Sequence, residues 1–149
     1  MNAKRFLSGF LLLALSSSVM ASVPTCTPVI EKAWIRSAAP GSMMLAGYGI
    51  VNNACPQAIT IKAVSSADFA SAMMHETLIE GGISKMRHVV ALPVAAHASV
   101  AFAPSGRHLM LMQPKHPLKE GDKVRLKLSL ADGREIAADF VVRKDAPGK

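Results

Sequence analysis

The sequence predicts an all-β fold, a single antiparallel β-sandwich or Greek-key barrel, and three observations support this prediction. Short runs of alternating apolar and polar residues recur along the chain. Turn-forming residues separate these runs, and no stretch has the period of an amphipathic helix. About nine such runs at short spacing are typical of a sandwich or a barrel.

The first 21 residues are predicted to be a secretory signal and not part of the fold. Lys4 and Arg5 precede an apolar run at 6–15, and Val19 to Ala21 form a small-residue cleavage site. The apolar run is too short for a membrane span, which needs roughly 20 residues. No later segment is long and apolar enough, and no cysteine stands at the cleavage point. We therefore expect a soluble periplasmic protein without stable membrane insertion or a lipid anchor.

Residues 22–143 are predicted to form one β-domain, followed by a loose C-terminal tail at 144–149. Removal of Lys4 and Arg5 lowers the formal charge from +7 to +5. The remaining basic residues are scattered, and one Trp and one Tyr provide no aromatic interleaving. We therefore expect no nucleic-acid partner.

The strand-like runs are expected, in chain order, at 28–36, 44–52, 58–64, 69–80, 83–92, 97–103, 107–113, 123–130 and 135–142. The clearest is 123–130, where apolar and polar residues alternate strictly. Asp132 and Gly133 then predict a hairpin turn into the last run. The side chains of these two runs that we expect in the core are Val124, Leu126, Leu128, Leu130, Ile136, Ala138, Phe140 and Val142.

Cys26 and Cys55 are the only cysteines of the chain. They do not form a Cys-x-x-Cys pair, and an oxidising compartment favours a disulfide. We predict that they form a structural disulfide.

The hairpin around Gly81 and Gly82 carries the first half of a predicted metal site. If these two glycines form the loop, His75 lies opposite His88 and Thr77 lies opposite Met86. His75 and Met86 then share a face on a diagonal of roughly 7–8 Å. An odd loop or a bulge would break this arrangement.

The run 107–113 carries the second half. In a strand, His108, Met110 and Met112 lie on one face, opposite two leucines that suit a core. Imidazole and thioether are the neutral and largely soft donors that suit copper(I). We predict one copper(I) ion bound by His75, Met86, His108 and Met110. Zinc is the second choice, since it would more often recruit cysteine, a carboxylate or a third histidine.

The spacing of these four residues resembles the signature of the periplasmic copper chaperones called PCu(A)C. Ten residues separate His75 from Met86, twenty-one separate Met86 from His108, and Met110 follows. Met74 matches the optional methionine of that family. Ala33-Trp34-Ile35-Arg36, Ala46-Gly47-Tyr48, Lys85-Met86-Arg87, Gly106 to Met112 and Pro117 to Asp122 are also similar to the family, so the likeness covers about 30–142.

The resemblance implies a cupredoxin-like β-barrel that binds copper(I) through the four matched positions. It also implies delivery of copper to an acceptor protein of the cytochrome c oxidase assembly pathway, in particular towards the CuA centre. The chain departs from the family in two ways. It ends without the His/Met-rich extension of some members, and His88 stands where a proline is common.

Other residues could add to the site. We consider His88, Met73, Met74 and Met112 as possible additional metal ligands. Met43 and Met44 follow a Pro-Gly turn, where we expect a hydrophobic lid rather than ligands.

Two alternatives to a copper chaperone remain at this point. A metal-independent β-sandwich adaptor would use the methionines only for packing. An electron-transfer cupredoxin would need a cysteine thiolate beside the His and Met ligands. An enzyme is not expected, because no nucleophile with a positioned base, paired carboxylates or phosphate loop is evident.

Overall fold

The computed structural model describes residues 26–147, so the predicted signal at 1–21 and residues 148 and 149 of the tail lie outside the described residues. The described part of the chain contains strands and no helices, which confirms the all-β prediction. Residues 144–147 follow the last strand and form no further strand. No helix in the described range is long and apolar enough to cross a membrane.

Ten strands are present within residues 26–147, one more than the nine predicted runs. The run expected at 83–92 ends at His88, and a separate short strand begins at Leu92. The strands are β1 Val29–Arg36, β2 Met44–Asn53, β3 Ile59–Ser66, β4 Phe69–Glu80, β5 Ile83–His88, β6 Leu92–Val94, β7 Ala98–Phe102, β8 Arg107–Pro114, β9 Lys123–Leu130 and β10 Glu135–Arg143.

The strands form one mixed sheet that does not close into a complete barrel. Its order is β5-β4-β8-β2-β1-β10-β9-β3-β6, and β7 pairs with β2 off this path. All these pairs are antiparallel except β1 with β10, which is parallel. The prediction of a purely antiparallel sheet is therefore wrong at one pair. The first and last strands can pair in parallel because the rest of the chain connects them.

The alternation read from β9 and β10 defines the core. Val124 and Leu126 are fully buried, and Phe140 is 1% exposed. Ala138 packs against the cluster from a partly buried position. Further core members come from β1 to β4 and from β6 to β8, so the sheet curls around one apolar interior. The prediction of the core face from the period of two is confirmed for these strands.

The predicted disulfide is present and joins the start of the described chain to the residues after β2. Cys26 and Cys55 have Cα atoms 5.6 Å apart, and they are 29 positions apart in sequence. The carbonyl oxygen of Cys26 also accepts a hydrogen bond from Arg134 at 2.7 Å. These contacts attach the segment before β1 to the turn between β9 and β10.

We expect the double substitution Cys26→Ser, Cys55→Ser to lower the free energy of unfolding by about 3–4 kcal/mol, because the unfolded chain loses a crosslink across a loop of this length. Urea denaturation followed by circular dichroism measures the change. Reduction of the native protein should reproduce it, and reduction should have no effect on the double variant. An unchanged unfolding midpoint in both experiments would contradict this contribution.

Candidate metal centre

The β4–β5 hairpin has the register that the sequence predicts. Gly81 and Gly82 both have positive φ, 59° and 77°, as a two-residue hairpin loop requires. Glu80 pairs with Ile83, and the ladder continues without a bulge to the end of β5. The loop therefore determines which residues of β4 and β5 lie opposite each other.

Three histidines form a row across three adjacent strands. His75 of β4 lies opposite His88 of β5 on one side and opposite His108 of β8 on the other. The ring centroids are 5.6 Å apart for His75 and His88, and 6.0 Å apart for His75 and His108. The sequence placed His108 on a separate strand, and the structure places that strand directly beside β4. We call His88, His75 and His108 the histidine row.

His108 is buried and held in one orientation. It is 7% exposed, and its Nδ1 lies 3.0 Å from the carbonyl oxygen of Gly106. A carbonyl oxygen only accepts, so Nδ1 carries the proton and donates it, which leaves the Nε2 lone pair available. A hydrogen bond from the ring nitrogen that does not bind the metal is the usual way to orient a metal-binding imidazole.

His75 has an unsatisfied nitrogen and favours the neutral form. Its Nδ1 is buried and has no hydrogen-bond partner. Burial first, and then the neighbouring imidazoles of His108 and His88, lower the pKa of His75 below its ordinary value of 6.5. A neutral imidazole with an unpartnered nitrogen is the form that binds a metal ion.

Thioether groups lie on both sides of the histidine row. Met110 of β8 pairs with Met73 of β4, two residues from His108 and His75 on the same face. Met86 pairs with Thr77 on the other side of the row, and its side chain is 57% exposed. The structure thus places all four predicted ligands on one face of the sheet. The cross-strand pairs His75–His108 and Met73–Met110 lie next to each other on this face.

Met74 does not lie on this face. It is 2% exposed and belongs to the hydrophobic core, because residues of β4 alternate between the two faces. Its neighbours Met73 and His75 point the other way. The expectation that Met74 could be an additional ligand is therefore wrong for this conformation.

The other candidate residues, His88 and Met112, lie on the same face as the proposed ligands. His88 is exposed at the edge strand, and Met112 lies two positions beyond Met110 on the same face. Met112 pairs with Met44 of β2, so Met44 belongs to a strand and not to a loop lid. The sequence does not predict this pair, because alternation within one strand does not identify the neighbouring strand.

Hard oxygen ligands are held away from the histidine row. Glu76, the next residue after His75, lies on the opposite face of β4 and forms ion pairs with Arg87 at 3.0 Å and Arg107 at 3.1 Å. Within residues 26–147, no three side chains of the His, Cys, Asp and Glu types are grouped to hold a metal ion. The histidine row shares its face with the thioethers of Met73 and Met110, which suit a soft ion.

A blue-copper centre lacks its thiolate. Both cysteines of the chain are in the disulfide, and Cys55 is 3% exposed in the core. The site therefore offers no cysteine thiolate beside the imidazole and thioether groups.

Two aromatic residues lie on β1 and β2, beyond β8 in the sheet. The pairing of β2 with β8 ends at Gly47 opposite Leu109, and Tyr48 is the next residue of β2. Tyr48 stacks on Trp34 with ring centroids 4.7 Å apart, and the Arg36 guanidinium lies 5.6–5.7 Å from both rings. The single tryptophan of the chain is therefore two strands from His108.

Comparisons with known proteins agree with this fold. The family described as "Putative lipoprotein LpqE-like" matches residues 29–142. The putative lipoprotein Lxx21020 of Leifsonia xyli subsp. xyli is 37% identical over 106 residues, which cover 70% of this chain. The aligned region spans 62% of that relative, less than two thirds of its length.

Solved structures of PCuAC domains have the same fold. The copper-bound PCuAC domain from PmoF2 is 23% identical with a TM-score of 0.64, and the match covers 78% of this chain and 92% of that one. The solution structure of the copper(I) form of DR1885 from Deinococcus radiodurans is 27% identical with a TM-score of 0.63. That match covers 87% of this chain and 85% of DR1885.

In the copper-free protein we expect the His75 imidazole to titrate below 6.5, because burial and two neighbouring imidazoles oppose its positive charge. As the pH falls through 6.5, the unfolded chain takes up this proton first, so the residue destabilises the fold in acid. NMR titration of the histidine ring protons measures the pKa.

His116 provides an internal control of opposite sign. Its Nε2 lies 2.9 Å from a carboxylate oxygen of Asp68, and this hydrogen bond raises the pKa of His116 above its ordinary value. His88→Gln should raise the pKa of His75 toward 6.5, since it removes the smallest of the three effects. A His75 titration at or above that of His116 would contradict the assignment.

Proposed function

The chain belongs to the LpqE-like family, a PCu(A)C-type family, and we propose that it is a periplasmic chaperone that binds one copper(I) ion and carries it to an acceptor. One observation carries the proposal. His75, whose buried Nδ1 has no hydrogen-bond partner, lies opposite His108, and Met110 follows His108 by two residues on the face that also carries Met86.

The donor set explains the preference for copper(I). We propose His75, Met86, His108 and Met110 as the ligands. Thioethers carry no charge, and the lowered pKa of His75 favours its neutral imidazole at pH 7. Four neutral donors leave the centre with the single positive charge of the ion, and no thiol has to lose a proton. Such a set binds a soft monovalent ion and releases it without acid–base chemistry.

Met86 is exposed, so it is the ligand that we expect to leave the ion most readily. Met86 and Met110 pair with residues four positions apart on β4, and two strand spacings separate them. In a flat sheet their Cα atoms would be about 16 Å apart. Within the described residues β5 pairs only with β4, so it can curl toward β8. We infer that copper draws Met86 toward the histidine pair and that its release reopens the centre.

Two neighbours are proposed as accessory ligands. Met73 lies directly opposite Met110 and can supply a sulfur when Met86 moves away. His88 lies directly opposite His75 at the exposed edge, where an acceptor protein has access. Each therefore supports exchange of the ion rather than its tightest binding.

Delivery towards the CuA centre of cytochrome c oxidase is the finer part of the proposal. It is supported by the resemblance of the four-ligand spacing to the PCu(A)C signature and by an exposed ligand that an acceptor can reach. We propose a carrier and assign no catalytic role to the chain.

We further propose that the protein is free in the periplasm after removal of residues 1–21. Cys26 is the cysteine nearest to the proposed cleavage site, and its thiol is occupied by the disulfide with Cys55. It is therefore not available for the thioether through which a cysteine carries a lipid.

We expect the exported protein to bind one equivalent of copper(I) in anaerobic competition with a chromophoric chelator. The double substitution Met86→Leu, Met110→Leu should weaken the affinity by more than the roughly 10–100-fold typical of losing an outer-shell partner, because two ligands are lost while side-chain volume is kept. The fluorescence of Trp34 provides an independent reading of binding.

Met74→Leu is the matched control, since it makes the same change on the core face and should leave the affinity unchanged. Met73→Leu should weaken binding less than Met86→Leu. Equal affinity in the wild type and the Met86, Met110 double variant would contradict the proposed centre.

We expect the copper(I)-loaded protein to transfer its ion to the reduced apo form of a soluble CuA domain. Mass spectrometry after separation of the two proteins measures the copper on each. Prior oxidation of the CuA domain cysteines is the control and should prevent transfer. Retention of copper by the chain with the reduced domain in excess would contradict delivery to CuA.

A further inference from the structure

Four methionines form a continuous thioether surface next to the proposed centre. Met44 of β2 pairs with Met112 of β8, and Met110 of β8 pairs with Met73 of β4. All four lie on the face of the histidine row, in two successive cross-strand pairs. We call Met44, Met73, Met110 and Met112 the methionine patch.

The spacing within the patch suits a shared ion. Residues directly opposite each other in antiparallel strands have Cβ atoms about 4.5–5.5 Å apart, and diagonal neighbours are about 7–8 Å apart. Met110 is diagonal to Met44 and lies two residues from Met112 on the same strand face. Because a methionine side chain has three rotatable bonds, these three sulfur atoms can approach one point above the sheet.

The patch is open to solvent on the side away from the histidines. Met44 is 54% exposed, and Met43 beside it is 61% exposed, whereas Met110 and Met112 are half-buried. An exposed methionine contributes little to a core, so packing does not explain Met44. The residues that flank the patch on this face are Ala46 and Ser71, which bring no charge.

We propose that the methionine patch binds a second soft monovalent ion, copper(I) or silver(I), through the thioethers of Met44 and Met112, and that Met110 joins them as the ion passes to the histidine centre. The donors are uncharged and contain only sulfur, which favours a soft monovalent ion over zinc or calcium. The absence of an imidazole makes this position weaker than the histidine centre.

Met110 connects the two positions, because it also belongs to the proposed centre. An ion at the patch needs to exchange only its other thioethers for His108 and His75 to reach the centre. The patch thus provides an entry position at the exposed end of the face, and this role in loading rests on the proposed function.

Silver(I) titration of the protein labelled with ¹³C at the methionine methyl groups tests the proposal, with the protein purified after export from an expression host. We expect the first equivalent to shift the methyl resonances of Met86 and Met110. The second equivalent should shift those of Met44 and Met112. Silver(I) is used because it is a soft monovalent ion that does not cycle between oxidation states under these conditions.

Substitution separates the two positions. Met44→Leu, Met112→Leu should abolish the second event and lower the stoichiometry from two ions to one, while Met74→Leu, the matched control, should retain both. His75→Ala, His108→Ala should remove the first event and leave the shifts of Met44 and Met112.

The outcomes distinguish this inference from the proposed function. Unmoved Met44 and Met112 resonances at two equivalents, or a second event that persists in Met44→Leu, Met112→Leu, would overturn the patch site. Shifts of Met44 and Met112 without any event at Met86 and Met110 would support the patch while contradicting the proposed centre.

Discussion

The hydrogen bonding of β4 to two partners, β5 on one side and β8 on the other, is the constraint on which the site depends. Each ladder has one register, so His75 lies opposite a histidine on both sides. A shift of one residue in either ladder would turn His88 or His108 to the other face. The Gly81 and Gly82 turn holds the first register, and the buried leucines of β8 hold the second.

The core stabilises the register on which the face of the histidine row depends. Leu109 and Leu111 are almost fully buried, and they alternate with His108 and Met110 along the same strand. The hydrophobic effect favours the orientation of β8 that buries these leucines. Because residues of a strand alternate between its two faces, the same orientation turns the imidazole and thioether groups outward. Met74 illustrates the same rule in reverse, since its place in the core removes it from the ligands although it adjoins His75.

The face combines a buried imidazole with an exposed thioether, an arrangement that suits the proposed carrier. His108 is buried, its Nδ1 donates a hydrogen bond to the carbonyl oxygen of Gly106, and it lies opposite His75. Met86 lies on an edge strand whose six residues are all exposed. An ion held between a fixed imidazole and a movable thioether can be bound firmly and still be given up through one side. The methionine patch extends that face with further uncharged donors.

The sequence by itself determined most of the strands and the β4–β5 register, because these depend on the period of two and on a local two-residue turn, and it is the source of the proposed donors. It also indicated the disulfide, since the chain has only two cysteines. Only the tertiary structure decided that β8 lies beside β4, that Met44 lies beside Met112, and that β1 and β10 are parallel. These pairings join residues far apart in the chain, and alternation within one strand carries no information about which strand will be its neighbour.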